Sequence, residues 1–204
     1  MIFNEQYGFL FVAIQKTGTT SIETILKNKN YNVFNSKIYN EIAWENGSQS
    51  IEPKRMNFKH NSAVMLKAYP SLYNRWDNIF KFCFVRNPWD WLVSHYFFQI
   101  KNKEVDFAID FKNWLYNSRP IWQAITQFDC LSQEGKIIVD FIGRFENLQK
   151  DFDSVCDRIG IPRIELPQHN QTQHKHYREY YDKESVKFVE NKYQKDIETF
   201  NYEF

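Results

Sequence analysis

The stretch Phe9-Leu-Phe-Val-Ala-Ile-Gln-Lys-Thr-Gly-Thr-Thr-Ser-Ile-Glu-Thr-Ile-Leu26 joins an apolar run, a turn rich in hydroxyl groups and an amphipathic pattern. The run from Phe9 to Ile14 is aromatic and β-branched, which predicts a central strand buried on both faces. Ile22, Ile25 and Leu26 recur at helical spacing. The sequence therefore predicts a strand, a turn and a helix in close succession.

The turn from Lys16 to Ser21 has the composition of an anion site. It places one lysine, one glycine and four hydroxyl side chains where the first N–H groups of a helix have no partner within the helix. Those N–H groups, the helix dipole and the lysine charge all favour phosphate or sulfate. A well-capped helix without a ligand is the alternative interpretation.

Length and composition limit the class of protein. The chain has 204 residues, 43% of them apolar, which predicts a single domain over residues 1–204 with a sizeable core. The formal net charge of +1 indicates no broad basic field. We therefore expect no nucleic-acid partner and a purely local anion site. The three cysteines are odd in number and share no close spacing, so we expect neither a disulfide framework nor a zinc site.

The sequence also carries information on localisation. No apolar run approaches the roughly 20 residues of a membrane-spanning helix. The N-terminal residues lack the basic and apolar regions of a signal peptide. These patterns predict a cytoplasmic protein without a membrane span; a domain excised from a longer chain is the alternative.

Further strands and helices follow the first pair. Ile79 to Val85 predicts a second buried strand, and apolar residues from Trp89 onward recur at helical spacing. A third strand is predicted within Ile137 to Phe145, then a helix from Leu148 to Ile159 and a closing helix from Lys183 to about Phe200. Alternating strands and helices predict an α/β fold, with a central parallel sheet flanked by helices and ligands at the carboxyl ends of the strands.

A second turn with polar side chains follows the second strand. It reads Arg86-Asn-Pro-Trp-Asp-Trp-Leu-Val-Ser94. Arg86 lies at the strand end and Ser94 about one and a half turns into the next helix, so both can reach an anion above the strand ends. The alternative is an arginine that satisfies backbone carbonyls and a serine that faces solvent.

The order of residues argues against a Walker loop and hence against a nucleotide or nucleoside kinase. A Walker loop ends in Gly-Lys-Ser/Thr after an earlier glycine, whereas Lys16 precedes the only glycine of this turn, Gly18. A Walker site also needs an aspartate at the end of a neighbouring strand to hold magnesium. Here that position holds Arg86, which suits a further phosphate. The kinase stays as the second hypothesis.

Taken together, the two turns resemble the sulfotransferases that use 3'-phosphoadenosine 5'-phosphosulfate (PAPS). The strand followed by Lys16-Thr-Gly-Thr-Thr-Ser21 resembles the 5'-phosphosulfate loop of that family, and Arg86-Asn-Pro with Ser94 resembles its 3'-phosphate motif. Other segments resemble the carbohydrate branch of the family: Lys59-His60, Ile142 to Leu148, and Lys195 to Phe204. Two positions depart from the family pattern, because Gln15 stands where proline is usual and Trp91 where arginine is common.

The resemblance implies a P-loop-like three-layer sandwich and a sulfuryl transfer. PAPS would be the donor, adenosine 3',5'-bisphosphate the product, and a small-molecule or oligosaccharide hydroxyl the acceptor, with no metal required. A catalytically inactive nucleotide-binding module of the same fold is the third hypothesis.

The same resemblance implies roles for individual residues. Lys16 would be the catalytic cation, and His60 the base that takes the acceptor proton. A histidine that caps the following helix is the alternative for His60. The residues implied to bind the donor are Lys16, Thr17, Gly18, Thr19, Thr20 and Ser21 at its 5' end, and Arg86 and Ser94 at its 3'-phosphate.

Overall fold

A computed structural model describes residues 1–29, 62–68, 70–117, 126–167 and 174–204. Contacts divide the chain into two compact units. The first comprises Met1–Val85 and Asp129–Pro167, and the second comprises Arg86–Phe128 and Gln168–Phe204. The single domain expected from length stays a prediction.

A mostly parallel sheet lies at the centre of the first unit. Among the described residues its strands are β1 (Ile2–Asn4), β2 (Phe9–Val12), β3 (Phe80–Val85) and β6 (Phe141–Arg144), in that spatial order. β3 pairs in parallel with both β2 and β6, and β1 pairs antiparallel with β2. A separate antiparallel pair is formed by β4 (Ser132–Gln133) and β5 (Lys136–Ile137). The α/β class and the parallel pairing are therefore confirmed.

Aromatic side chains hold the two central strands in register. Alternate residues of a strand point to the same face, so Phe9 and Phe11 of β2 share a face, as do Phe80, Phe82 and Phe84 of β3. Phe9 pairs with Phe80 and Phe11 with Phe82 across the strands. The Phe11 and Phe82 rings stack with their centroids 5.1 Å apart. Cross-strand pairs of this kind stabilise one register of the sheet.

Helices of the first unit complete its core. They are α1 (Thr19–Asn28), α2 (Ala63–Ala68), α3 (Pro70–Tyr73) and α7 (Leu148–Ile159). Ile22 and Leu26 of α1 join Phe152 and Val155 of α7 in one cluster with the strand aromatics. α7 has the predicted bounds, because Gly160 adopts a left-handed conformation with φ 73° that ends the helix.

The second unit is helical around an aromatic cluster. Its helices are α4 (Pro88–Lys101), α5 (Phe111–Asn117), α8 (Lys183–Lys192) and α9 (Gln194–Phe200), and α6 (Gln127–Leu131) begins in it. The closing helix predicted from Lys183 to Phe200 is two helices, which meet at Tyr193. Tyr193 has φ −112° and ψ 26°, and its ring is fully buried against Trp91. No helix among the described residues is long and apolar enough to cross a membrane.

We expect Gly143→Ala to lower the free energy of unfolding by about 1–3 kcal/mol, the usual cost of overpacking. Gly143 of β6 pairs with Phe84 of β3. A Cβ atom at this glycine would lie 2.4 Å from Cε1 of the Phe84 ring, which is fully buried and so has little room to move. Urea denaturation measures the effect. The control is Phe84→Leu, which makes room for the new methyl group. The double variant should therefore lose less free energy of unfolding than the two single variants lose in sum. A Gly143→Ala variant as stable as the wild type would contradict this contact.

Candidate functional site

The turn after β2 has an unusual backbone. Lys16 has φ 63°, and Gly18, the N-cap of α1, has φ 82°. Positive φ is uncommon for a lysine, and such conformations concentrate at functional sites. Gly18 supplies no side-chain cap, and the first turn of α1 contains no acidic residue. The start of α1 therefore presents backbone N–H groups and the positive end of the helix dipole, and its own first turn carries no carboxylate.

Two hydroxyl groups fix the conformation of this turn through one carbonyl just after β2. The hydroxyls of Thr17 and Thr19 both donate to the carbonyl of Ile14, at 2.9 and 2.6 Å. Both threonines are buried. A hydroxyl has one hydrogen to donate, so in this conformation these two side chains donate to Ile14 and not to an anion. Ser21 is also buried, and Thr20 is half-buried.

Gly18 is required by space as well as by backbone conformation. A Cβ atom at this position would lie 2.6 and 2.8 Å from the two methyl groups of Leu148, at the start of α7. The left-handed φ of Gly18 adds strain for any other residue. The turn is thus packed closely against the helix that covers the same sheet.

The second turn begins where β3 ends. Val85 is the last residue of β3 and Arg86 is the next residue of the chain. Asn87 caps α4 by accepting from the backbone N–H groups of Trp89 and Asp90, at 3.1 and 3.4 Å. Pro88 occupies the first helical position, where its missing N–H costs nothing. Arg86-Asn-Pro is therefore the start signal of a helix as well as a candidate anion motif.

Arg86 is held at both its backbone and its side chain. It is 8% exposed, and its Nε donates to a carboxylate oxygen of Asp90 at 2.8 Å. The side chain of Gln127 accepts from the Arg86 N–H at 2.9 Å and donates to the Arg86 carbonyl at 2.8 Å. Ser94 follows Asp90 by four positions, on the same face of α4, and it is buried and so does not face solvent.

Other residues singled out from the sequence have different surroundings. His60 lies outside the described residues. His95 is buried and packs edge-on against Trp91 with ring centroids 4.6 Å apart. Trp91, which replaces the arginine common in the family pattern, is 3% exposed and belongs to the aromatic cluster of the second unit. The tryptophan at this position therefore packs in the core of the second unit.

The Cys83 thiol of β3 is not a candidate nucleophile. Burial, with a smaller contribution from Cys130, raises the pKa of the Cys83 thiol well above its ordinary value, so this group is protonated at neutral pH. The chain's three cysteines all lie in the described ranges, and they form no disulfide. Within those ranges, no group of three or more His, Cys, Asp or Glu side chains is placed to hold a metal ion.

Two contacts of Arg86 were missed by sequence reasoning. Asp90 lies four residues after Arg86, and helical i, i+4 spacing is a signal that could have identified the ion pair. Gln127 is 41 positions away, and no local pattern connects it to Arg86. Only the fold reveals that contact.

Comparison with known proteins identifies the family of the chain. The chain matches the model of the sulfotransferase family over residues 1–203. An uncharacterized protein of Archaeoglobus fulgidus is 36% identical over 91 residues, which cover 42% of this chain and 72% of that relative. No solved structure matches significantly. Because the family match spans nearly all of its residues, the chain belongs to the sulfotransferase family.

Proposed function

We propose that the protein transfers a sulfuryl group from PAPS to a hydroxyl of a carbohydrate-like acceptor, either a small molecule or an oligosaccharide. Family membership supports sulfuryl transfer in general. The turn from Lys16 to Ser21 carries the proposal of the donor, because it combines a cation with an uncapped helix start. The strand, turn and helix over residues 9–28 support a P-loop-like fold.

The first turn would bind the 5' end of the donor. When bound, PAPS supplies the sulfuryl group and a phosphate leaving group. Negative charge develops on the leaving oxygen during transfer, so a fixed cation and N–H donors accelerate the step. Lys16 would provide the cation, and the backbone N–H groups from Thr17 to Ser21 the donors. The bonds from Thr17 and Thr19 to Ile14 would keep that backbone in place.

The second turn would recognise the 3'-phosphate, which distinguishes PAPS from ordinary adenine nucleotides. The planar guanidinium of Arg86 suits a phosphate, and Ser94 would add a hydroxyl from the same face of α4. Asp90 fixes the guanidinium through Nε, and its carboxylate charge offsets part of the positive potential that a phosphate would meet. Recognition would therefore depend strongly on the orientation of Arg86.

His60 would act as the general base. An acceptor hydroxyl must lose its proton as the new bond to sulfur forms, and histidine changes protonation near neutral pH. The proposal for His60 rests on its position between the two turns in the sequence and on family resemblance.

The selectivity for a 3'-phosphate tests the proposal. We expect the wild type to bind adenosine 3',5'-bisphosphate more tightly than adenosine 5'-monophosphate in isothermal titration calorimetry. Arg86→Ala should reduce that preference by about 10- to 100-fold, the worth of a hydrogen bond to a charged group. As a control, Arg163→Ala removes an exposed arginine that pairs with Asp157 and should leave the preference intact. Equal affinity of the wild type for both nucleotides would argue against PAPS as the donor.

An acceptor screen tests the chemistry directly. Radiolabelled donor sulfate should be transferred to at least one hydroxylated acceptor in the presence of EDTA, since the proposed scheme uses no metal. Transfer of phosphate from ATP that depends on magnesium would instead support the kinase.

A further inference from the structure

The side chain of Gln127 forms hydrogen bonds with both backbone groups of Arg86, its N–H and its carbonyl. Gln127 is fully buried, and its amide accepts from the Arg86 N–H at 2.9 Å and donates to the Arg86 carbonyl at 2.8 Å. Buried backbone groups must be hydrogen-bonded, and β3 has ended one residue earlier. Gln127 therefore supplies, from another part of the chain, the pairing that a neighbouring strand would give.

A buried carboxylate fixes Gln127 in turn. Asp196 of α9 is fully buried and accepts from the backbone N–H of Gln127 at 3.0 Å and of Phe128 at 2.7 Å. A buried carboxylate is stable only when its oxygens are hydrogen-bonded, and these two bonds meet part of that need. Asp196 thus fixes the backbone at the first two residues of α6, from which the Gln127 side chain extends.

The two supports act on different parts of Arg86. Gln127 fixes the peptide groups, and Asp90 fixes the guanidinium through Nε at 2.8 Å. An arginine side chain loses considerable rotamer entropy when it is ordered. Where that ordering precedes ligand binding, less affinity is lost and the direction of the guanidinium is set in advance.

We infer that Gln127 is a positioning residue for recognition of the 3'-phosphate, acting through the backbone of Arg86. The inference rests on the proposed function and extends it to a residue that itself contacts no donor. Asp196 in turn fixes the backbone of Gln127. The preference for a 3'-phosphorylated nucleotide is the property that should depend on Gln127.

Gln127→Met tests the inference. Methionine has a similar length and shape, but it can form neither of the two hydrogen bonds that Gln127 makes to the backbone of Arg86. We expect affinity for adenosine 3',5'-bisphosphate to fall about tenfold, as misplacement of a binding group does, while affinity for adenosine 5'-monophosphate stays unchanged. The amide of Arg86 should also exchange its hydrogen faster in the variant than in the wild type. The matched control is Gln99→Met, since Gln99 is a buried glutamine of the same unit that accepts from the indole N–H of Trp114 at 2.7 Å. It should lower thermal stability and keep the nucleotide preference.

The possible results separate the two proposals. If the wild type prefers the bisphosphate, and Arg86→Ala removes that preference while Gln127→Met keeps it, the positioning role is wrong and the proposed function stands. If the wild type shows no preference, both fail. Should Gln127→Met not fold, Gln127→Glu replaces it, because it keeps an acceptor for the Arg86 N–H and loses the donor to the Arg86 carbonyl. Unchanged preference in that variant would equally overturn the role.

Discussion

Replacement of Lys16 by methionine is expected to slow sulfuryl transfer about 10²- to 10³-fold, the usual cost of removing one donor that stabilises charge in a transition state. Methionine is unbranched like lysine, so the strain of the left-handed conformation at this position, φ 63°, is similar in both proteins. The change therefore removes the charge and keeps a side chain of similar length. Turnover of radiolabelled donor at saturating concentrations measures the effect, and thermal unfolding should be close to that of the wild type.

Two further variants sharpen this test. Lys27→Met removes a cation from the last turn of α1, where the lysine pairs with Glu23, and should leave turnover unchanged. Lys16→Gly also removes the charge but suits the positive φ, so it should be slow although the backbone conformation of the turn is no longer strained. Wild-type turnover in Lys16→Met would remove Lys16 from the mechanism.

Replacement of His60 by alanine is expected to lower turnover by about 10²- to 10⁴-fold, the range for a positioned general base. Binding of adenosine 3',5'-bisphosphate should be retained, because the base acts on the acceptor and not on the donor. The wild-type rate should rise with pH as histidine loses its proton, since only the neutral imidazole accepts one. The variant should lose this rise.

The control for His60 is His176→Ala. His176 lies outside the proposed chemistry, and its ring accepts from the backbone N–H of Arg178 at the start of a short 3₁₀ helix. That variant should keep both turnover and its pH dependence. Near-normal turnover of His60→Ala would show that another group, or water, takes the acceptor proton.

Short sequence patterns predicted those strands and helices whose ends are set by neighbouring residues in the chain. The apolar run of β2, the helical spacing of α1 and the left-handed Gly160 after α7 are all readable within a few residues. β1 has only three residues and is stabilised by pairing with β2, so its own sequence gives little signal. The break between α8 and α9 was missed because burial of the Tyr193 ring against Trp91 depends on a distant part of the chain.

The same distinction applies to the candidate site. Lys16, Gly18 and Arg86 were singled out because each stands at a fixed offset from a strand end. Sequence could not show that the Thr17 and Thr19 hydroxyls point back to Ile14, because side-chain direction depends on the turn conformation. It could not show the support from Gln127 either, which arises only when α6 packs beside the start of α4.

The shared carbonyl of Ile14 has a kinetic consequence. Two buried hydroxyls already fix the conformation of the turn through this carbonyl, so a nucleotide bound there as proposed would not require the loop to fold around it. Encounter with a preformed site is limited by diffusion and orientation, while loops that must close first bind more slowly. Binding of the proposed donor at this turn is therefore expected to show a single kinetic phase in stopped-flow measurements.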